Sequence, residues 1–311
     1  MKRHLIFALL LLTVACEKEE ILSSESPPDN TELFTNIDFF GDVIYGSSTT
    51  QSGITEDLLM DIYTPSGDNS NERPLIILAH GGGFLGGEKE SMLELATYLG
   101  RRGFVVASLK YRLVDVEETP DVMIRGVIDA MLDMRASVRF FRKDLATNNT
   151  FRIDPDNIFV GGYSAGAFMS LHTAYVNSMN EIREIGGQSL VDYVTNAGGL
   201  EGNSGNSGYS SSVAGALSLS GALAKADLID AGEPILFSYH GTADSVVPYL
   251  TGESDGSGVT TDGPGVYHTE ADRVGIVNQL ITIQGGEHDA FWTTNGSEEE
   301  LVSFIKENLI E

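Results

Sequence analysis

Four short apolar runs constrain what this chain can fold into more than any other feature of its sequence. They are RPLIILA at 73–79, FVVASL at 104–109, NIFVGG at 157–162 and PILFSY at 234–239. Each run is apolar almost throughout, as a strand buried on both faces of a sheet must be, and segments with helical spacing separate the runs. This alternation predicts an α/β domain with a mostly parallel sheet and helices on both faces.

Further runs extend the sheet toward both ends of the chain. Strand character is present in DLLMDIYTP at 57–65, AGALSLSG at 214–221 and LITIQG at 280–285. The segment near 41–46 lies close in sequence to the strand at 57–64, so the two suit an antiparallel hairpin at the sheet edge.

Two segments interrupt the alternation of strands and helices. Residues 180–212 contain GGLEGNSGNSGYSSS, and residues 249–268 show no apolar periodicity. Long irregular loops in a compact domain are often functional, and in an open α/β sheet ligands bind beyond the carboxyl ends of the strands. We therefore expect both segments to be irregular inserts near the active site.

The N-terminal sequence MKRHLIFALLLLTVAC has the features of an export signal. Two basic residues precede a short apolar run, and small residues follow it, which predicts a signal peptide at 1–15. Cys16 is the only cysteine of the chain and stands where bacterial lipoproteins carry their lipidated cysteine; a plain cleaved signal is the alternative. We expect a flexible tether at 16–35, a folded domain at 36–311, and a lipid anchor to the bacterial outer membrane. The sequence does not distinguish the periplasmic side of that membrane from the cell surface.

The charge balance excludes some partners. The chain has 19 basic and 45 acidic residues, for a net charge of −26. This argues against binding to nucleic acid or to an anionic membrane through a basic face, so membrane contact is expected only through the anchor. With one cysteine, no disulfide can form within the chain, and the fold must depend on its core.

The spacing Gly-x-Ser-x-Gly occurs twice, in GYSAG at 162–166 and in GESDG at 252–256. A nucleophile elbow needs a tight turn between a buried strand and a helix, because this turn presents the serine hydroxyl in a strained, exposed position. Ser164 follows a strand and precedes a helical segment, whereas Ser254 has neither neighbour. The context predicts Ser164 as the nucleophile and Ser254 as a surface loop serine.

A serine nucleophile requires a base, and the chain has six histidines. His288 follows the last predicted strand through two glycines, which lets a loop carry its imidazole over the sheet edge, so it is the predicted base. The others are assigned elsewhere: His4 to the signal, His80 to HGGGF, His172 to helix packing, His240 to a structural role at a strand end, and His268 to a loop.

A carboxylate must orient the imidazole of His288. Asp244, in HGTADSVVP, follows a predicted strand and lies between Ser164 and His288 in the chain, which is the order of the triad in α/β hydrolases. It is therefore the predicted third member. Rival carboxylates lie nearby at Glu253, Asp255, Glu287 and Asp289.

The segment HGGGF at 80–84 follows the strand at 73–79. Three successive glycines leave backbone N–H groups unobstructed, and such groups can stabilise the oxyanion of a tetrahedral intermediate. The alternative interpretation is a tight turn between a strand and a helix that only needs a flexible backbone.

Together these motifs make the chain similar to α/β-hydrolase carboxylesterases with an HGGG oxyanion motif, over residues 40–311. The resemblance implies the α/β-hydrolase fold with a mostly parallel eight-stranded sheet, and an oxyanion hole formed by the N–H groups of Gly82, Gly83 and Ala165. HGTADSVVPY resembles the corresponding segment of feruloyl and acetylxylan esterases. Hormone-sensitive-lipase-like esterases, which the chain also resembles, have Asp where this chain has Tyr163.

The expected activity is that of a serine carboxylesterase acting on short-acyl or carbohydrate-linked esters, with no metal or organic cofactor. Phe84, Tyr163 and Trp292 are predicted to line the substrate pocket, or else to belong to the core. The alternatives are a peptidase or amidase of the same fold, an interfacial lipase, and a non-catalytic surface adhesion protein. A calcium site in the loop at 249–268 is a lesser alternative.

Overall fold

The computed structural model describes residues 31–67, 70, 72–254 and 256–310. The predicted signal at 1–15, Cys16 and the tether as far as residue 30 lie outside the described residues. Within the described part, no helix is both long and apolar enough to cross a membrane.

A central sheet of eight strands organises the described residues, in the order β1-β2-β4-β3-β5-β6-β7-β10. β1 pairs with β2 and β2 with β4 in antiparallel fashion, and the remaining neighbours are parallel. The predicted α/β fold with a mostly parallel eight-stranded sheet is confirmed, as is the hairpin at its edge. The strands are β1 (Ile37–Thr49), β2 (Thr55–Pro65), β3 (Arg73–Ala79), β4 (Val105–Leu109), β5 (Ile153–Tyr163), β6 (Gly215–Leu219), β7 (Ile235–Gly241), β8 (Thr251–Glu253), β9 (Thr260–Asp262) and β10 (Asn278–Ile283).

Helices cover both faces of the sheet because successive strand residues point to opposite sides. Along β3, Leu75 and Ile77 pack into one apolar cluster with the helix α2 (Pro120–Thr147), while Ile76 and Leu78 pack into another with α1 (Leu93–Gly100) and α7 (Ser297–Glu307). This two-sided burial explains the near-continuous apolar runs of the sequence. The helices are α1 (Leu93–Gly100), α2 (Pro120–Thr147), α3 (Ala165–Tyr175), α4 (Met179–Asn196), α5 (Pro264–Val274), α6 (Ala290–Thr293) and α7 (Ser297–Glu307).

The prediction of an irregular insert at 180–212 was wrong for its first half. That half forms α4, whose start is fixed by reciprocal bonds between Ser178 and Glu181, and which is kinked at Gly186 and Gly187. The irregular second half packs on α2, where Arg139 donates to the carbonyl oxygen of Gly205. None of the residues 197–212 borders the cavity beside Ser164 that is described below.

The second predicted insert, 249–268, is also more regular than expected. β8 and β9 form a short antiparallel hairpin within it, and α5 begins at Pro264. His268 is therefore a helix residue rather than a loop residue. It is buried and its Nδ1 lies 2.7 Å from Oδ1 of Asn278.

Candidate active site

Ser164 stands alone between β5 and α3, in a strained backbone conformation. Its φ of 53° and ψ of −119° lie where residues with a side chain are rarely found. Gly162 and Gly166 allow the strand and the helix to approach closely, since a Cβ atom at either would come within 2.5 or 2.0 Å of the carbonyl oxygen of Ala79. This is the geometry of a nucleophile elbow.

His288 lies in the turn between β10 and α6, and its ring joins two other side chains. Nε2 is 2.9 Å from Oγ of Ser164, and Nδ1 is 2.8 Å from Oδ2 of Asp244. Since an ionised carboxylate only accepts hydrogen bonds, Nδ1 carries the hydrogen and Nε2 is left to accept the hydrogen of the serine hydroxyl. The three residues thus form a continuous hydrogen-bonded line.

Asp244 lies in the loop after β7, and its side chain is inaccessible to solvent. Oδ1 accepts the backbone N–H groups of Val246 and Val247, both at 2.9 Å, while Oδ2 faces His288 and His240. Burial acts to raise the pKa of the Asp244 carboxyl. The hydrogen bonds from His240, His288 and Val247 outweigh burial and hold this pKa well below its usual range.

None of the rival carboxylates in the described part of the chain forms a hydrogen bond or an ion pair with His288. Glu253 instead accepts the N–H of Gly258, and the described ion pairs give His288 only Asp244 as a partner. Asp255 lies outside the described residues.

The glycines after β3 form a tight turn beside the elbow. The N–H groups of Leu85 and Gly86 donate to the carbonyl oxygen of Gly82, and the φ angles of Gly82 and Gly83 are 116° and 61°. Gly83 borders the same cavity as Ser164 and Ala165, and Gly82 directly precedes Gly83 in the turn. Within the described part of the chain, the N–H groups of Gly82, Gly83 and Ala165 donate to no other protein group.

His80 begins this turn and is held in place by Tyr111. Its ring stacks on Tyr111 with 4.4 Å between the centroids, and the Tyr111 hydroxyl donates to the His80 carbonyl oxygen at 2.8 Å. Burial lowers the pKa of His80, so its imidazole is neutral at physiological pH. His80 is a framework residue of the HGGG turn.

A cavity of about 460 Å³ opens beside Ser164. Its walls come from the first half of α2, from α3, from Ile185 of α4 and from the hairpin of β8 and β9. Most of the side chains that line it are apolar, as in pockets for small molecules. They include Phe84, Leu85, Met123, Ile124, Val127, Ile128, Phe168, Ile185, Val246, Val247 and Val259.

His172 borders this cavity from α3 but makes internal bonds with both of its ring nitrogens. Nδ1 lies 2.8 Å from the carbonyl oxygen of Phe168, and Nε2 accepts the N–H of Ala224 at 3.2 Å. Burial lowers the pKa of His172 to about 4, so the ring is neutral. It is a packed helix residue, as the sequence indicated, and also part of the cavity wall.

The three predicted pocket residues are divided by the structure. Phe84 lines the cavity, whereas Tyr163 and Trp292 do not. The ring of Tyr163 packs against His288 with 5.0 Å between the centroids, and Trp292 packs on Tyr163 in turn. The prediction therefore needs correction for these two, because the residue before the nucleophile points away from the cavity and toward the histidine.

Sequence reasoning missed two walls of the cavity. One is the apolar stripe of α2 from Met123 to Ile128, in a segment for which the sequence predicted only helical spacing. The other is the hairpin, where Ser254 borders the cavity rather than the outer surface. The β-branched run from Val259 to Thr261 was the available signal for a strand there.

A buried arginine holds the far end of α3. Arg135 of α2 donates to the carbonyl oxygens of Thr173 and Val176 in the last turn of α3, and also to that of Leu200. Burial lowers the pKa of Arg135 to about 10, which leaves the guanidinium charged at neutral pH. A buried charge thus fixes the C-terminal end of α3, the helix that begins directly after Ser164.

Comparison with known proteins agrees with this architecture. The model of the BD-FAE family matches residues 60–212, just under half of the chain. The structure of Thermogutta terrifontis esterase 2 phosphorylated by paraoxon is similar to the chain, with a TM-score of 0.63 and 20% identity over 86% of this chain and 93% of that one. The chain has the α/β-hydrolase fold.

Two further solved structures share the fold of this chain. The propionate-bound esterase of Thermogutta terrifontis is 19% identical, with a TM-score of 0.61, and covers 90% of this chain and 96% of its own. A truncated carbohydrate esterase from gut microbiota is 18% identical, also with a TM-score of 0.61, and the match covers 89% of this chain and 97% of that one.

Curated relatives match the chain over a shorter stretch. A non-reducing polyketide synthase of Stereocaulon alpinum is 28% identical over 124 residues, and one of Preussia isomera is 32% identical over 125 residues. Each match covers 38% of this chain but only 5% of the synthase. The chain thus corresponds to a small part of those long proteins.

Proposed function

We propose that the protein is a serine carboxylesterase that hydrolyses short-acyl or carbohydrate-linked esters, with Ser164, His288 and Asp244 as its catalytic residues. One observation carries the proposal: the three side chains form a hydrogen-bonded line that ends at Oγ of Ser164, and Ser164 borders an apolar cavity. A serine so placed can attack an ester carbonyl whose acyl group occupies the cavity.

In the proposed reaction, Oγ of Ser164 attacks the carbonyl carbon while Nε2 of His288 accepts the hydroxyl proton. Negative charge develops on the carbonyl oxygen, and the N–H groups of Gly82, Gly83 and Ala165 stabilise it; these groups have no other acceptor among the described residues. His288 then protonates the departing alkoxide. A water molecule repeats the sequence on the acyl-enzyme and releases the acid.

Asp244 keeps the imidazole in the required tautomer throughout the cycle. Its low pKa means that the carboxylate remains ionised while His288 carries the extra proton, so the imidazolium is stabilised without a second proton transfer.

The substrate class in this proposal rests on the cavity and on the similar proteins. The apolar walls favour an aliphatic or aromatic acyl group, and Leu85 and Val246, which line the cavity, present partly exposed apolar surface. The similar structures include a propionate-bound esterase and a carbohydrate esterase. Both observations support an ester of a small acid, with the alcohol portion outside the cavity.

The test is hydrolysis of p-nitrophenyl acetate, butyrate, octanoate and dodecanoate by the wild type and by Ser164→Ala. We expect turnover that is fastest on the shorter esters and is abolished in the variant. A rate optimum at octanoate or above would contradict the short-acyl assignment, and turnover that survives in Ser164→Ala would contradict the nucleophile.

Covalent labelling provides a second, independent measurement. Paraoxon should phosphorylate Ser164, and mass spectrometry of the digested protein should locate the diethyl phosphoryl group there and not on Ser254. A peptide anilide serves as the control for the amidase alternative, and preference for the anilide over the ester would favour that alternative.

We also propose that the protein is exported and held at the bacterial outer membrane by a lipid on Cys16. Support comes from the sequence alone, where the single cysteine directly follows a signal-like segment. Cys16→Ser should move the protein from the membrane fraction to the soluble fraction of the producing cell, and unchanged partitioning would contradict the anchor.

A further inference from the structure

A second histidine contacts the carboxylate of Asp244. His240 is at the end of β7, and its side chain is completely buried. Its Nε2 lies 3.1 Å from Oδ2 of Asp244 and 3.0 Å from the carbonyl oxygen of Val247. The ring of Tyr249 packs against it edge-on, with 6.0 Å between the centroids.

These contacts determine which ring nitrogen of His240 carries a hydrogen. Both groups beside Nε2 are hydrogen-bond acceptors, so Nε2 carries a hydrogen and donates it. Nδ1 is buried and has no hydrogen-bond partner within the described residues. The imidazole is therefore a donor aimed at the carboxylate and at the backbone of the same loop.

As a result, four donors hold the carboxylate of Asp244. Oδ2 receives the ring N–H of His288 at 2.8 Å and lies 3.1 Å from Nε2 of His240, whose single hydrogen is shared with the carbonyl oxygen of Val247 at 3.0 Å. Oδ1 receives the backbone N–H groups of Val246 and Val247. A carboxylate held by donors at both of its oxygens cannot rotate about its side-chain bonds without breaking several hydrogen bonds. His288 thus meets an acceptor of fixed position.

We propose that His240 is a positioning residue for the ester hydrolysis: it fixes Oδ2 of Asp244 toward His288 and ties the cavity wall at Val247 to the same imidazole. The inference rests on the proposed function of Ser164, His288 and Asp244. It extends the hydrogen-bonded line by one residue, from Ser164 through His288 and Asp244 to His240.

A role in core packing alone does not account for these contacts. A phenyl ring would fill similar space and would leave no buried nitrogen without a partner, whereas an unpartnered buried Nδ1 is costly. The imidazole differs from a phenyl ring by the Nε2–H group, and that group points at the carboxylate and at the loop that carries it.

The test compares variants that keep or remove this donor. The amide nitrogen of Gln can stand near the position of Nε2, so His240→Gln retains a donor, while His240→Leu removes it and His240→Asn is too short to reach. With p-nitrophenyl butyrate we expect His240→Leu and His240→Asn to lower kcat about tenfold with little change in KM, and His240→Gln to recover most of the loss.

The matched control is His268→Leu, since His268 is also buried and singly hydrogen-bonded but contacts no residue of the line. It should lower the thermal midpoint and leave kcat unchanged. In an Asp244→Asn background, His240→Leu should cause no further loss of kcat, because the acceptor that it serves has already been altered.

A readout without turnover separates this proposal from the proposed function. The hydrogen on Nδ1 of His288 should give a low-field proton resonance in NMR, assigned by its loss in Asp244→Asn. It should shift or broaden in His240→Leu and His240→Asn and persist in His240→Gln. An unchanged resonance in all three, or equal kcat values for Gln and Asn, would overturn the positioning role, even if no ester were hydrolysed.

Discussion

The two Gly-x-Ser-x-Gly segments of this chain have the same spacing and different backbones. Residues 162–166 make the turn from a buried strand into a helix, with Ser164 at a φ of 53°. In the second segment, Gly252 and Glu253 belong to the short strand β8 and Ser254 directly follows it. Oγ of Ser254 lies 3.3 Å from Oγ1 of Thr261, and among the described residues no histidine is hydrogen-bonded to it. Both serines border one cavity, but only Ser164 is hydrogen-bonded to an imidazole.

The difference shows what the spacing contributes and what it does not. Glycines two residues either side of a serine permit a sharp turn, but the flanking strand and helix determine whether that turn presents the hydroxyl to a base. The hairpin serine keeps the spacing and serves as cavity wall. The following predictions test this contrast between the two segments, from the largest expected effect to the smallest.

Substitution of the carboxylates associated with the two segments should give the largest difference in kcat. Asp244→Asn removes the negative charge that fixes the His288 tautomer, so we expect kcat for p-nitrophenyl butyrate to fall about 10⁴-fold. Glu253→Gln, beside Ser254, should change it less than about threefold, since that carboxylate contacts only the hairpin backbone. Comparable losses in the two variants would remove the distinction between the segments.

The glycines should differ in their effect on stability. A Cβ at Gly166 would lie 2.0 Å from the backbone oxygen of Ala79, whereas one at Gly252 would meet only the Pro248 side chain at 3.0 Å. We expect Gly166→Ala to lower the free energy of unfolding by about 3 kcal/mol, and Gly252→Ala by less than about 1 kcal/mol. Urea denaturation of both variants measures the difference, and equal midpoints would contradict it.

The ionisation of Asp244 should also appear in stability. Because its folded-state pKa is depressed, its contribution is present above the unfolded pKa near ~3.9 and is lost as the pH falls further. The wild type should exceed Asp244→Asn in unfolding free energy by about 2 kcal/mol at neutral pH. That gap should shrink below about pH 4, where the unfolded carboxyl becomes protonated. A gap that widens in acid would contradict the assigned direction.

Ser254→Ala should have the smallest effect. It removes a hydroxyl from the cavity wall and one weak contact to Thr261, so kcat/KM for p-nitrophenyl butyrate should change by less than about threefold. A loss near that of Ser164→Ala would mean that the hairpin serine takes part in the reaction.

The sequence predicted much of the fold because strands buried on both faces leave an unambiguous pattern. A short run that is apolar throughout, such as the one at 73–79, indicates a buried strand. Ser164, Asp244 and His288 follow strand ends, where topology brings them to one edge of the sheet, and the structure places them within hydrogen-bond distance of each other.

The rest depended on contacts that composition does not reveal. The capping bonds of Ser178 and Glu181 start α4 in a stretch whose glycines suggested a loop, and tertiary packing carries that helix through its kink. The hairpin of β8 and β9 has three residues in each strand, too few for periodicity to show. Whether Tyr163 faced the cavity or the histidine was decided by the elbow turn and not by residue type.

The buried arginine at the end of α3 has a further consequence for Ser164, the proposed nucleophile at its start. Peptide dipoles aligned along a helix leave partial positive charge at its first turn and partial negative charge at its last. Arg135 neutralises the negative end by bonding the carbonyl groups of Thr173 and Val176. The positive end, at Ser164 and Ala165, is then the uncompensated pole, and it faces the cavity mouth where the carbonyl oxygen of a bound ester would gain charge. The helix is thus an oriented dipole as well as a support.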